Sequence, residues 1–443
     1  VASPLPSRQL TLERAEELLR LRNLAVAANR HQLDASRAGR LIAGFKPNPI
    51  LTLGGQQFPL TSNVAGSVPR FVSTNPDAGA NPVFTAHVDK IIERGRKREF
   101  RIEQADAVVD AAMAQIEDSL RTQRFQLQQA FVAALLARDN LQLAGQLQDQ
   151  YTQTVTLTAT RVRAGSTAPV DLYRIQAASL PFQQAVIDAQ NSYEQATRDV
   201  LNLLDLAPDD IPVGSSVGPR RAAESNLAPD VVAAQPASTG MLLAMAPIQV
   251  EGTFSNKVVT LSLTALRTLA LANRPDVLTA RSTLRAATSA GRVAEAQRTR
   301  DVVVGVEYQR VGNDQAVGVT TQIPLFAYNN QRAGVTQAAA LERAAEAQLH
   351  QVERQATTDV EKAYQAYLAA SRALALYNDA NLKQVEDVRS VTAYTYGRGA
   401  VSLLELLDTE RMARQTLVAY NQARAAYQLA LFQLEQAVGV TLP

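Results

Sequence analysis

The chain repeats itself. Arg163-Ala164-Gly165 through Asp171-Leu172 aligns with Gly397-Arg398-Gly399 through Glu405-Leu406 at an offset of 234. The same offset carries Ile91-Ile92 to Leu325-Phe326, Arg98 to Arg332, Tyr193 to Tyr427 and Val200 to Leu434. The helix starts Leu10-Thr11-Leu12 and Leu261-Ser262-Leu263 correspond at 251, so the difference falls in one loop that is longer in the first half. A register held over such a length requires a duplicated structural unit, because chance matches between heptad patterns drift.

Duplication divides the chain into a first repeat over 1–210, an intervening stretch over 211–258 and a second repeat over 259–443. The stretch contains Ser215-Ser216, Pro219, Pro229, Pro236 and Ser238-Thr239-Gly240. That density of helix breakers predicts a linker with little regular structure. Met241 and Met245, with no His or Cys nearby, read as packing of a short apolar turn.

Each half predicts one element order. A helix comes first (Thr11–Gly44; Ser262–Arg300), then two strands, then a very long helix (about Glu93–Thr160; about Asn329–Thr395). A Gly-containing turn leads to a last helix (Val170–Leu206; Ser402–Val438). A helix of about 67 residues is roughly 100 Å long, which suits a sheath of paired rods better than a compact core. Leu417, Tyr420, Arg424, Tyr427, Leu431, Leu434 and Val438 form a heptad seam in which only Arg424 is polar. Its stem is expected to pack while its head reaches water. The matching first-half seam, Gln183, Val186, Gln190, Tyr193, Thr197, Val200 and Leu204, is more polar and is expected to pack more weakly or to face water on one side.

The strands are about 49–58 and 83–92 in the first half and about 302–310 and 316–325 in the second. Val302, Val304, Val306 and Tyr308 take one face against Gly305, Glu307 and Gln309; Val317, Val319, Thr321 and Ile323 oppose Gly318, Thr320 and Gln322. Strands of about ten residues, apolar on one face and polar on the other, are the signature of an outer-membrane barrel. Each hairpin alone reads as an ordinary soluble one, and its recurrence at the same place in both halves shifts the reading to the barrel. Phe58, Phe84, Tyr308, Phe326 and Tyr328 sit at strand ends, where aromatic girdles lie. Four strands cannot close such a barrel, and open edges are not tolerated in lipid. Strands that span a membrane must therefore be shared between chains. No apolar run approaches the roughly 20 residues of a transmembrane helix.

This combination resembles the TolC-type outer-membrane channels of tripartite efflux and type I secretion systems. The resemblance rests on the duplicated helix–hairpin–long helix–turn–helix order and on Ile323-Pro324-Leu325-Phe326. It rests also on the paired turns Gly165…Asp171 and Gly399…Glu405-Leu406-Leu407-Asp408. Ile91-Ile92-Glu93-Arg94-Gly95-Arg96-Lys97-Arg98 is similar to the heavy-metal branch, the CzcC-like and CusC-like proteins. The resemblance implies a homotrimer in outer-membrane lipid with a 12-strand β-barrel, a 12-helix α-barrel in the periplasm, and an equatorial belt built from the linker and chain ends. It implies a passive duct for metal cations or small toxic compounds, served by a periplasmic adaptor and an inner-membrane pump of the RND type.

It further implies that Glu405 and Asp408 form carboxylate rings at the periplasmic tip, which favour cations. Read without the resemblance, they are solvated acids near a helix N-terminus. Asp171 and Tyr396 match positions that hold the tip closed. The arginine expected with them is replaced by Val401, leaving Arg398, Arg163 or Arg161 as substitutes. Gly165 and Gly399 would allow φ > 0 in the turns and mark where an adaptor approaches. Many relatives begin with a lipidated Cys; this sequence contains none. It starts Val1-Ala2-Ser3-Pro4 with no signal peptide, as expected of a processed or trimmed chain.

Residue inventory argues against an enzyme. His31, His87 and His350 lack ligand spacing, Cys is absent, and Gly54-Gly55 lies in a strand and not at a helix start. No catalytic residue, metal site or cofactor is expected. Lys and Arg number 44 against 42 acids, so no nucleic acid is expected. Arg94-Gly95-Arg96-Lys97-Arg98 reads as a basic collar at the barrel–helix junction. The alternatives are a soluble periplasmic coiled-coil scaffold and the duct of a type I protein secretion system.

Overall fold

The computed structural model describes residues 9–56, 83–207, 248–255, 257–325 and 328–442. Phe58, Phe326, Met241, Met245, the loop over 59–82 and most of the linker lie outside them. Nine helices are described, and they follow the duplication.

In the first half these are α1 (Leu12–Arg22), α2 (Leu24–Gly44), α3 (Lys97–Arg163) and α4 (Pro169–Leu203). In the second they are α5 (Leu263–Asn273), α6 (Pro275–Ala296), α7 (Arg332–Ala375), α8 (Asp379–Arg398) and α9 (Leu403–Val438). The first helix of each half, expected to be continuous, is broken, and at the equivalent residue. Asn23 ends α1 and caps α2, its Oδ1 accepting the N–H groups of Ala25 and Val26 at 3.0 and 3.2 Å. Arg274 ends α5 because it precedes Pro275, which disfavours helical ψ in the residue before it; Arg274 has ψ 125°.

The long helix survives whole only in the first half. In the second, the expected single helix divides at Leu376-Tyr377-Asn378. The Leu376 and Tyr377 N–H groups tighten onto Ala373 and Leu374. Asn378 Oδ1 then accepts the Asn381 N–H at 2.8 Å and starts α8.

The chain forms two compact units, one comprising 1–29, 116–275 and 353–443, the other 30–115 and 276–352. The first holds two apolar cores. One joins Leu18 and Leu19 of α1, Leu127, Phe131 and Leu135 of α3, and Tyr193, Val200 and Leu201 of α4. The other joins Leu266 of α5, Val360 and Tyr367 of α7, and Tyr427, Leu431 and Leu434 of α9. Strand β1 (Gln9–Leu10) pairs in parallel with β4 (Gln249–Val250), so the linker's end carries regular structure. The equivalent tyrosines tie that end to both repeats. Tyr193 Oη lies 3.4 Å from the Ile248 carbonyl, and Tyr427 Oη donates to the Lys257 carbonyl at 2.6 Å.

Both seam expectations need revision. The first-half seam is not the weaker: Tyr193, Thr197, Val200 and Leu204 are fully buried, because α1, α3 and β4 close over them, and only its start at Gln183 is exposed. Arg424 does not simply reach water. Its guanidinium lies over Phe254 and Tyr420 at 4.9 and 5.4 Å, with Asp139 at 3.5 Å.

The second unit carries an antiparallel four-stranded sheet in the order β2 (Ile50–Gln56), β3 (Val83–Ile92), β5 (Val302–Val311), β6 (Asp314–Gln322). Its central pair, β3 and β5, comes from different repeats. Val311 pairs with Asp314 across a two-residue turn at Gly312-Asn313. Strand β6 ends at Gln322, short of the expected 325; Pro324 just beyond has no N–H to extend the ladder. Among the described residues the sheet is not closed, and β2 and β6 are its edges.

Candidate functional site

Register sorts the sheet into two chemically opposite faces. Leu51 pairs with Val88, Val88 with Val306, and Val306 with Val319; Leu53, Ala86, Tyr308 and Val317 form a second such row. Paired residues share a face, and residues two apart along a strand join them. Leu51, Leu53, Phe84, Val88, Val306, Tyr308, Val317 and Val319 therefore make one apolar surface, and all are exposed. Leu53, Val317 and Val319 are 72%, 74% and 74% exposed. Contiguous apolar exposure of this kind marks a surface that meets something other than water.

The opposite face is polar. His87 Nε2 lies 2.5 Å from Asp89 Oδ1 and 3.5 Å from Thr320 Oγ1, with Glu307 at 3.8 Å from the ring's Nδ1. Gly305 makes this cluster fit: a Cβ there would fall 2.4–2.6 Å from Asp89, His87 and Thr320. Among the described residues no cluster of His, Cys, Asp and Glu is arranged to hold a metal ion, and no helix is long and apolar enough to cross a membrane.

The two helix–helix turns lie in the first unit and are brought together. Gly165 and Gly399 have φ of +70° and +78°, left-handed values at which a side chain is strained. Gly399 also lets Arg161 pass, since a Cβ would lie 3.1 Å from its guanidinium. Tyr396 is buried, its hydroxyl 3.0 Å from Thr158 Oγ1 on α3. Of the three candidate arginines, Arg161 meets it: Nη1 donates to the Tyr396 carbonyl at 2.6 Å, and the guanidinium lies over the ring. Arg398 lies over Tyr394, and Arg163 bonds within its own helix. Asp171 sits in the first turn of α4, 3.5 Å from Arg174.

Glu405 and Asp408 are exposed, three residues apart on the first turns of α9. Ser402 caps this helix by accepting the Glu405 N–H at 3.2 Å. Asp408 pairs with Arg411, while among the described residues Glu405 has no ion pair.

A further charged group here was not visible in the sequence. Glu410, on α9, lies 4.0 Å from Arg389 of α8, which also pairs with Glu386 and hydrogen-bonds Gln150 of α3. Burial raises the Glu410 pKa above the usual carboxylate range; Arg389 draws it down and Glu386 pushes it up. Neighbouring Tyr151 stacks on Phe182 of α4 with centroids 4.4 Å apart, and its buried hydroxyl has no hydrogen-bond partner among the described residues. No sequence spacing links these residues, since they come from four helices.

A family model described as outer membrane efflux protein matches residues 16–205 and 266–440. Among solved structures, the fold is similar to the outer-membrane channel OprN, with 20% identity and a TM-score of 0.71, covering 97% of this chain and 89% of that one. It is similar to CusC, with 16% identity and a TM-score of 0.71, covering 98% and 93%. The outer-membrane channel CmeC of Campylobacter jejuni shows 12% identity and a TM-score of 0.71, covering 97% and 86%. No curated protein matches the sequence.

Proposed function

The chain belongs to the outer membrane efflux protein family, and from that premise we propose that three copies assemble into one passive exit duct. Each chain contributes its four strands to a shared 12-strand barrel and its helices to a 12-helix periplasmic tunnel. A periplasmic adaptor and an inner-membrane pump of the RND type deliver the cargo, metal cations or small toxic compounds. Family members are outer-membrane transport channels and not enzymes, so the energy comes from the pump.

One observation carries this reading: the four-stranded sheet is apolar and exposed on one face, polar on the other, and open at β2 and β6. Lipid accepts the first face and water the second, but lipid cannot satisfy the unpaired N–H and C=O groups of two edges. Closing three such sheets edge to edge satisfies both demands. A soluble coiled-coil scaffold leaves the apolar face without a purpose.

Within the duct, Glu405 and Asp408 form the acidic constriction at the tunnel tip. Tyr396, held by Thr158 and Arg161, links neighbouring helices in the closed state, and Asp171 and Arg398 are the other closed-state contacts at the tip. Gly165 and Gly399 mark the turns that meet the adaptor. The linker over 211–258 and the chain ends form the equatorial belt.

Detergent-solubilised protein tests the assembly. The expected result is a trimer that forms discrete conducting channels in planar bilayers. A monomer that stays soluble without detergent and conducts nothing would sink the proposal.

A further inference from the structure

Where β3 turns into α3, the second unit builds a cationic hollow for which the duct has no use. A cavity of about 290 Å³ is lined by Lys46, Lys90, Glu93, Arg96, Lys97 and Arg98, among others. Its acids are already occupied. Glu93 receives Arg101 in a two-pronged bond at 2.6 and 3.0 Å, and Glu99 lies 3.7 Å from Arg98. Lys97 is buried and committed, its Nζ 2.8 Å from Asp301. Lys46, Lys90 and Arg96 are left exposed, and none has an ion pair among the described residues, although the Arg96 guanidinium lies over the Phe100 ring at 5.4 Å. Three cations without a carboxylate partner around one hollow repel each other and favour an anion there.

The hollow is built into the backbone. Gly95 and Arg96 are consecutive left-handed residues, φ +74° and +57°, a conformation unusual for arginine. They turn the chain out of β3 into α3. Asp301 fastens this corner by accepting the Arg94 N–H at 3.0 Å as well as pairing with Lys97.

Position selects the anion. Lys90 is paired with Val304, which puts it on the apolar face of the sheet, in line with Val88 and Ile92. The cavity thus opens at the helix end of the surface that the proposed function assigns to lipid. We propose that Lys46, Lys90 and Arg96 bind a phosphate group, and that its source is the headgroup of a phospholipid whose acyl chains lie along the Leu51–Val88–Val306 face. Long cationic side chains at a membrane boundary place their charge at headgroup level while their stems stay in hydrocarbon. This inference rests on the sheet spanning the membrane.

The experiment is native mass spectrometry of the detergent-purified assembly, titrated with phosphatidylglycerol, with diacylglycerol or with inorganic phosphate. Expected are retained phosphatidylglycerol, no retained diacylglycerol, weak inorganic phosphate, and a loss of about tenfold or more in phosphatidylglycerol affinity in the triple variant Lys46→Gln/Lys90→Gln/Arg96→Gln. Lys90→Gln alone, an exposed single change, is expected to lose part of the affinity should the triple variant fail to assemble. Undiminished phosphatidylglycerol binding in both variants overturns the site. Inorganic phosphate binding as tightly as the lipid overturns the headgroup as its source. Maleimide labelling of Val306→Cys in intact membranes separates the two levels. Protection from a water-soluble reagent, with unchanged lipid binding in the variants, rejects the headgroup site alone; ready labelling rejects the membrane-spanning sheet and the site with it.

Discussion

The hydroxyl of Tyr396 donates to Thr158 Oγ1 across 3.0 Å of buried interior, because the threonine's own proton is already given to the Thr154 carbonyl at 2.9 Å. The bond is therefore directional, and its two halves should not cost the same to remove. Tyr396→Phe leaves Thr158 with its donor satisfied and is expected to cost about 1 kcal/mol. Thr158→Val strands a buried phenolic donor and is expected to cost about 2 kcal/mol. The double variant should cost less than the sum by about 1 kcal/mol. Denaturant unfolding followed by the helical signal checks this; equal single costs would show that the hydroxyl has another partner.

Glu410 sets a pH dependence of definite sign. Its pKa is raised by burial, opposed by Arg389 and reinforced by Glu386, with Gln150 and Tyr151 contributed by α3. Between the ordinary carboxylate value and the raised one, the folded state binds more protons than the unfolded state. Stability therefore falls as pH rises through that window. Glu410→Gln is expected to flatten this slope and to leave the protein more stable at neutral pH, since Arg389 keeps Glu386. Glu435, also raised by burial, leaves a residual slope of the same sign. Melting temperatures across mildly acidic pH test this, and an unaltered slope would contradict it.

Element positions were legible because the duplication provides two readings of each. Residue 12 falls on 263 and residue 169 on 403, and helices begin at all four. The strand faces were legible because a period of two needs no partner to be seen. What escaped were features set by residues far apart in sequence. Arg161 reaches Tyr396 across 235 positions, and only packing of α3 on α8 selects it over Arg398. Glu410 carries no signal of its own in the sequence, because Arg389 and Tyr151, which surround it, come from other helices. The break at Asn23 was missed because an apolar pattern continues through it, although its equivalent at Arg274-Pro275 announces itself in the sequence.

Polar substitutions should separate the sheet faces. Val319→Lys puts a charge on the apolar face and is expected to cost about 2–4 kcal/mol if it lies mid-membrane. Gly318→Lys, one residue before, lies on the polar side opposite Glu307 with open space for a side chain, and is expected to assemble normally. The readout is the amount of folded oligomer in outer-membrane fractions. Equal tolerance of both would mean that the apolar face does not meet lipid.

Selectivity should depend on Glu405 more than on Asp408. Around the α9 start, Asp408 is neutralised by Arg411, whereas Glu405 has no cationic partner among the described residues. Of the three side chains Glu405, Asp408 and Arg411, only the Glu405 charge is then left unbalanced. Glu405→Gln removes it, and a ring of three such carboxylates favours cations. The reversal potential in a salt gradient is therefore expected to move toward zero. Asp408→Asn alone exposes the Arg411 charge and moves it the same way. Asp408→Asn/Arg411→Gln restores the original balance and is expected to return selectivity close to that of the unaltered channel. The contrast should be sharpest at low ionic strength, where screening is weakest. Selectivity indifferent to Glu405→Gln would place Glu405 off the permeation path.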